Sequence, residues 1–206
     1  VQARRVLAEQ RHSSLLLPMV AELLRESAVG LRQLDGIGYG AGPGSFTGLR
    51  IACAVTQGLA LGAGLPVAGV STLQSIAEQA GAERVLTVLD ARMAEVYWAA
   101  YQRDGAGWRA VSEPALALPE SVSVPAGGGW VGAGNGFVAL GEALRSRLAA
   151  LARIDGTLMP DAAAMAPLAA RAFERGEGMD AALAAPIYLR DKVALTVDER
   201  RRKKTA

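Results

Sequence analysis

From Gly36 to Ala80 the sequence alternates in a way that few architectures accept. A short, glycine-flanked apolar run, Gly36–Ala41, leads into the loop Gly42-Pro43-Gly44-Ser45 and a helical stretch from Phe46 to about Leu61. A second apolar run, Pro66–Val70, passes through Ser71, a residue type that caps helices, into a helix ending at Ala80. Strand, helix, strand, helix in this order calls for crossover connections, and so for an α/β fold with helices layered on a sheet.

The flanking sequence extends this pattern. Val1–Glu9 reads as a short strand. His12–Ala28 reads as a helix, because Leu15, Leu16, Met19, Val20, Leu23 and Leu24 recur at steps of three and four. Ser13 or Ser14 is placed to cap it and Gly30 lies just past its end; Pro18 fits near a first turn and elsewhere would kink the helix. After Ala82 the rhythm changes. Val85–Leu89 and Glu95–Tyr101 flank Asp90-Ala91-Arg92-Met93-Ala94 as a β-hairpin, and Trp108–Ser112 follows the turn Asp104-Gly105-Ala106-Gly107. A linker rich in Pro, Ser and Gly runs to Gly129. Trp130–Ala133 then reads as a strand, and Phe137–Leu151 and Asp161–Arg175 as helices. The chain divides into residues 1–82 and residues 83–206, the second part opening on the hairpin and ending in a basic tail from about residue 198. It opens without methionine and in mid-strand, which predicts that an N-terminal piece is missing.

Composition narrows the functional classes. Half the residues are hydrophobic, enough for a real core at this length, while the net charge is only +2, a weak signal for nucleic acid. One cysteine, Cys53, admits no internal disulfide and points to a reducing, cytoplasmic setting, as does the polar opening Val1-Gln2-Ala3-Arg4-Arg5. The most apolar stretch, Ile51–Leu65, is broken by Thr56, Gln57 and glycines, so no membrane span is expected. His12 is the sole histidine, which leaves no histidine cluster for zinc and no supported nucleophile–base pair.

Several local patterns invite chemistry. A glycine loop that feeds a helix N-terminus offers free N–H groups to an anion, and Gly44, Ser45 and Thr47 are the weak candidates here. The Lys-Ser/Thr pair of a phosphate-binding loop is absent, and a tight turn capped by Ser45 or Thr47 is the commoner outcome. Asp90, Arg92 and Glu95 gather at the hairpin, where a hydrogen-bonded structural pair is commoner than a metal site or an acid–base pair. Gly127, Gly129 and Gly132 satisfy a dinucleotide fingerprint by letter, yet they run into a strand instead of leaving one. In the Phe46 helix, Gly48, Ala52, Thr56 and Ala60 form one small-residue row and Ala54, Gly58 and Gly62 another. Glycine inside a helix costs about 1 kcal/mol against alanine, so two such rows suggest that another helix approaches closely, within this chain or from a partner. The tail Asp198–Lys204 reads as solvated, with phosphate contact as the alternative.

Three separated stretches together resemble the TsaB (YeaZ) family: Gly42–Ala60, Val70-Ser71-Thr72-Leu73, and Leu89-Asp90-Ala91-Arg92-Met93-Ala94-Glu95-Val96-Tyr97-Trp98. His12, Leu17-Pro18-Met19-Val20 and Pro186-Ile187-Tyr188-Leu189-Arg190 fall in family order. The resemblance implies an actin-like fold, shared with sugar kinases and heat-shock ATPases, made of two ribonuclease-H-like halves. The family's opening strand and hairpin are absent here, so the first half is expected to lack its starting strands. It also implies a non-catalytic scaffold that works with a TsaD-type catalytic subunit and a TsaE-type ATPase in making threonylcarbamoyladenosine in tRNA. Such a scaffold has no cofactor of its own, with ATP, if bound, at the complex interface, and it meets tRNA through the complex. The docking surface, for the TsaD-type subunit or for a second copy in a homodimer, is then Leu15, Leu16, Met19 and Leu23 on the first helix. On the second it is Gly48, Ile51, Ala52, Val55, Gly58 and Leu59. An ATP-binding enzyme of the same fold, using Gly42–Gly48 and Gly127–Gly136, is the competing reading, followed by a peptidase-like relative.

Overall fold

The computed structural model describes residues 1–6, 11–145 and 148–190. Among them lie seven strands in two sheets. Strands β1 (Ile37–Gly42) and β2 (Val67–Ser71) pair in parallel. The second sheet has the order β5-β4-β3-β6-β7 and is built from β3 (Arg84–Asp90), β4 (Val96–Asp104), β5 (Gly107–Ala117), β6 (Val131–Ala133) and β7 (Arg153–Asp155). In it β3, β4 and β5 form an antiparallel meander, while β6 and β7 continue parallel to β3. That five-stranded arrangement is the one expected of a ribonuclease-H-like half. The first sheet, with two parallel strands among the described residues, matches a half without its opening strands.

The first sheet shows why its sequence is rich in glycine. Helix α2 (Phe46–Ala63) covers one face, packing Cys53 and Ala60 on Tyr39, Ala41 and Val67. Helix α6 (Ala162–Glu174) covers the other, packing Leu168 and Ala169 on Ala68 and Val70. Side chains alternate along a strand, so Gly36, Gly38 and Gly40 all face α6. A Cβ on Gly38 would lie 2.4 Å from the Ala169 Cβ, and one on Gly36 2.4 Å from the Phe173 ring. The strand is stripped on one side so that α6 can approach.

In the second sheet β3 is buried on both faces, which explains its unbroken apolar run. Val85 and Leu89 point to helix α3 (Thr72–Gln79), meeting Leu73 and Ile76. Leu86 and Val88 point the other way, to Trp130, Phe137, Leu144 and Leu148. Ser71 caps α3 as expected, accepting from the Gln74 N–H.

Several expectations need correction. Residues 1–6 form no strand; Arg4 bonds to Glu26 and Gln2 accepts from Ser27, tying the segment to helix α1 (His12–Glu26) instead. The remainder of the expected Val1–Glu9 strand, and the basic tail, lie outside the described residues. Neither Ser13 nor Ser14 caps α1: the N-cap is Arg11, and Ser14 donates back to the Arg11 carbonyl at 2.9 Å. Pro18 therefore sits inside the helix, in its second turn. The expected Phe137–Leu151 helix is broken into α4 (Gly136–Ala139) and α5 (Gly141–Arg145), because Gly141 takes a left-handed φ of +50°. Strand β7 was not legible, since three residues leave no period to read. Helix α2 is one continuous 18-residue element that is long and apolar enough, by length and composition alone, to cross a membrane. Thr56 and Gln57 do not interrupt it: Thr56 is buried, and the Gln57 amide donates to the Ala184 carbonyl. These contacts seat one side of α2 on its own chain.

Residue 82 lies between α3 and β3, with one sheet before it and one after it along the chain. However, α6 and residues 180–190 return from the end of the chain to complete the first sheet's layers.

Candidate partner interface

Helix α2 begins where the chain leaves β1 through Gly42-Pro43-Gly44-Ser45. The Ser45 Oγ caps the helix by accepting from the Gly48 N–H at 3.4 Å. The loop is filled by its own chain: Thr72 donates to the Pro43 carbonyl, and a Cβ on Gly42 would fall 2.7 Å from the Ile187 carbonyl oxygen. Gly44 is half-buried and Thr47 exposed. Ser45 thus serves as a cap, the commoner of the two readings of this loop.

The two small-residue rows of α2 have different surroundings. In the first, Thr56 and Ala60 are buried against the chain itself, and Gly48 and Ala52 are half-buried. The second row is open: Ala54, Gly58 and Gly62 are exposed, and among the described residues no atom beyond the helix's own adjoining turns lies within 4 Å of a Cβ built on Gly58 or Gly62. Ile51, Val55 and Leu59 flank it, half-buried, and Leu61 is 62% exposed. Helix α1 leans on α2. Its Leu15, Leu16, Met19 and Leu23 are all half-buried and Leu17 is 49% exposed, so among the described residues the helix has no buried apolar residue. Leu15, Leu16, Met19 and Leu23 follow one stripe of α1, and Gly48, Ile51, Ala52, Val55, Gly58 and Leu59 one stripe of α2, whose first small row is turned largely inward.

A feature that sequence reasoning missed borders this face. Residues 180–190 run as a strap over α2 and on to the hairpin. Ala184 accepts from the Cys53 thiol at 3.2 Å, and Tyr39 Oη both donates to and accepts from the Ala185 backbone. The Ile187 N–H donates to the Ala41 carbonyl at 2.7 Å. Arg50 Nε donates to Tyr188 Oη at 2.9 Å, with the guanidinium stacked on Phe46, 3.6 Å from the ring centre. Burial raises the Cys53 thiol pKa, which opposes any nucleophilic use. The strap meets α2 across more than a hundred positions, a distance no periodicity reveals. The one signal was that Arg50 is the sole charged residue of α2.

The hairpin holds the expected structural pair. Asp90 accepts from the Arg92 N–H at 2.8 Å and lies 3.3 Å from its guanidinium, while Arg92, Met93 and Ala94 all take positive φ. Glu95 pairs instead with Arg190 of the strap at 2.6 Å. Gly132, Gly134 and Gly136 serve close packing: a Cβ on Gly134 would lie 2.2 Å from the Val88 carbonyl oxygen and one on Gly136 2.6 Å from the Val88 side chain. Gly127 and Gly129 are left-handed loop residues ahead of β6, which removes the dinucleotide reading.

Comparison with known proteins shows the family of the chain. The family described as "TsaD: tRNA N6-adenosine threonylcarbamoyltransferase" matches residues 6–196. The chain is 42% identical to the Escherichia coli tRNA threonylcarbamoyladenosine biosynthesis protein TsaB over 202 residues, covering 94% of this chain and 87% of that one. It is 33% identical to the Haemophilus influenzae protein of the same name over 200 residues, covering 91% and 83%. Two solved Pseudomonas aeruginosa structures superpose closely. One, described as an uncharacterized protein with similarity to peptidase YEAZ, gives a TM-score of 0.81 at 42% identity over 88% of this chain and 85% of that one. The other, YeaZ, gives 0.78 at 41% identity over 87% and 85%. With identity over most of both chains, a matching fold and the three sequence stretches all in agreement, the chain belongs to the TsaB (YeaZ) family.

Proposed function

We propose that this chain is a non-catalytic scaffold subunit in the cytoplasmic synthesis of threonylcarbamoyladenosine in tRNA. On this reading it docks a TsaD-type catalytic subunit through the α1–α2 face and works beside a TsaE-type ATPase, meeting tRNA through the complex. The relatives carry this biosynthesis in their name. The observation that carries the docking role is the open row on α2: Gly58 and Gly62 project into empty space on a helix with Leu61 exposed. Contiguous apolar surface of this kind marks an interaction site. Close helix approach is the one gain that offsets two interior glycines.

The competing readings find less support. An ATP enzyme would need room at glycines that are filled by Ile187 and Val88. A peptidase of the metal or triad type would need donors this sequence does not supply, since it holds one histidine and its cysteine is buried.

Gly58→Leu tests the docking role. A Cβ at position 58 meets no neighbouring group within 4 Å among the described residues, and loss of a helical glycine should raise stability by up to about 1 kcal/mol. Co-purification with the TsaD-type subunit of the same organism should nevertheless be lost. A variant that still forms the complex at wild-type affinity overturns the docking role; sedimentation of the chain alone shows whether a second copy occupies the same face.

A further inference from the structure

Across its 18 positions α2 holds one charge, Arg50, on the same exposed stripe as Phe46, Ala54, Gly58 and Leu61. Its guanidinium is held from two sides. The Phe46 ring lies beneath it, and Tyr188, whose ring is tilted 38° to that of Phe46 at 5.7 Å, accepts from Nε at 2.9 Å. Among the described residues no carboxylate is within ion-pair distance of Arg50, and neither Nη atom has an acceptor. Phe46 and Tyr188 remain 38% and 44% exposed. The planar fork is thus fixed in orientation, with its two outer donors open among the described residues.

An arginine so placed constrains whatever covers it. A permanent cation buried under an apolar partner without an anion is strongly unfavourable, so a partner that seals this face must bring one. A guanidinium with two parallel N–H groups free matches a carboxylate in bidentate geometry. Stacking has already removed much of the rotamer freedom that binding would otherwise cost. A nucleic-acid strand fits less well, because tracking a phosphate backbone takes several cations and this stripe carries one.

We propose that Arg50, clamped by Phe46 and Tyr188, is the receptor for an aspartate or glutamate carboxylate of the TsaD-type subunit. This inference rests on the docking role argued above. Arginine and aromatic residues at the centre of a patch are the usual anchors of an interface, and this cluster holds the one charge on the exposed stripe of α2.

Binding of the TsaD-type subunit to immobilised wild type, Arg50→Met, Arg50→Lys, Tyr188→Phe and Gly58→Leu distinguishes the outcomes. Arg50→Met should weaken binding by roughly tenfold or more, mostly through faster dissociation. Arg50→Lys keeps the charge and should recover only part of that loss, because a lysine cannot form the fork. Tyr188→Phe should cost about two- to fivefold by freeing the guanidinium plane. Unchanged thermal unfolding of each variant separates these effects from misfolding. If Arg50→Met binds within about twofold of wild type while Gly58→Leu does not bind, the carboxylate receptor is wrong and the docking role stands. If Gly58→Leu also binds normally, the docking role itself fails. If Arg50→Met keeps the protein partner but strips tRNA from the complex, the arginine reads phosphate and the proposal is overturned.

Discussion

Tyr101 shows how one buried side chain sets a pH dependence. It is 4% exposed on β4, and its hydroxyl lies 3.3 Å from the Ser71 hydroxyl on β2, joining the two sheets. Burial pushes its pKa from 10.0 up to about 12, outweighing the opposing hydrogen bond from Ser71. The unfolded chain therefore ionises first as pH rises. The stabilisation from burying the neutral phenol is complete below pH 10 and is lost between about pH 10 and 12, amounting to roughly 2–3 kcal/mol. Tyr101→Phe should flatten the alkaline limb of a stability–pH curve measured by urea unfolding. An equally steep limb in the variant would assign the loss to another group. Little of this was legible beforehand: the apolar run around Tyr101 predicts burial, but the Ser71 contact spans thirty residues.

Elements were legible where a period repeats and the neighbours do not matter. Helices α2, α3 and α6 and the β3–β4 hairpin follow from three-four or two-residue spacing and their caps. Helix α1 keeps its stripe and its expected start at His12, yet its cap was misread, because Ser13 and Ser14 look like caps while the N-cap is Arg11. The proposed docking face was half legible: sequence shows two small-residue rows on α2, and only the packing of β1 and the strap decides that the row through Gly58 is the open one. The glycines of β1 make the same point and can be tested. Gly38→Ala places a methyl 2.4 Å from the Ala169 Cβ, so α6 must shift, at a cost of about 1–3 kcal/mol by the usual penalty of overpacking. Ala169→Gly alone should cost about 1 kcal/mol in helix propensity. Combined, the two should cost clearly less than their sum, since the second change removes the atom struck by the first. Additive losses in a denaturation double-mutant cycle would mean that the contact is not what sets the spacing of α6 from the strand.

At the scale of the molecule, the two sheets are joined by returning segments and by one charged cluster. Glu78 at the end of α3 accepts from Trp108 Nε1 at 2.6 Å and from Arg103 Nη1 at 2.9 Å, on β5 and β4 of the second sheet. Its other oxygen lies 3.6 Å from Arg171 Nη1 on α6, the helix that covers the first sheet. That separation is ion-pair range without hydrogen-bond geometry, and Arg171 Nη1 is buried with no hydrogen-bond acceptor. One carboxylate thus balances two largely buried guanidinium groups drawn from opposite layers. Removing it leaves both uncompensated, so Glu78→Ala should destabilise by about 3 kcal/mol, the usual consequence of stripping one partner from a buried pair. Replacing the arginines as well, as in Glu78→Ala with Arg103→Met and Arg171→Met, should recover much of the loss, because apolar side chains of similar length need no counter-charge. The single variant should also weaken cooperativity. Tryptophan fluorescence, from Trp98, Trp108 and Trp130, reports the second sheet and far-ultraviolet dichroism the whole chain, and coincident urea transitions in the wild type should separate once the shared charge is gone. Coincident transitions in Glu78→Ala, with a loss below about 1 kcal/mol, would show that α6 and the strap couple the layers without it.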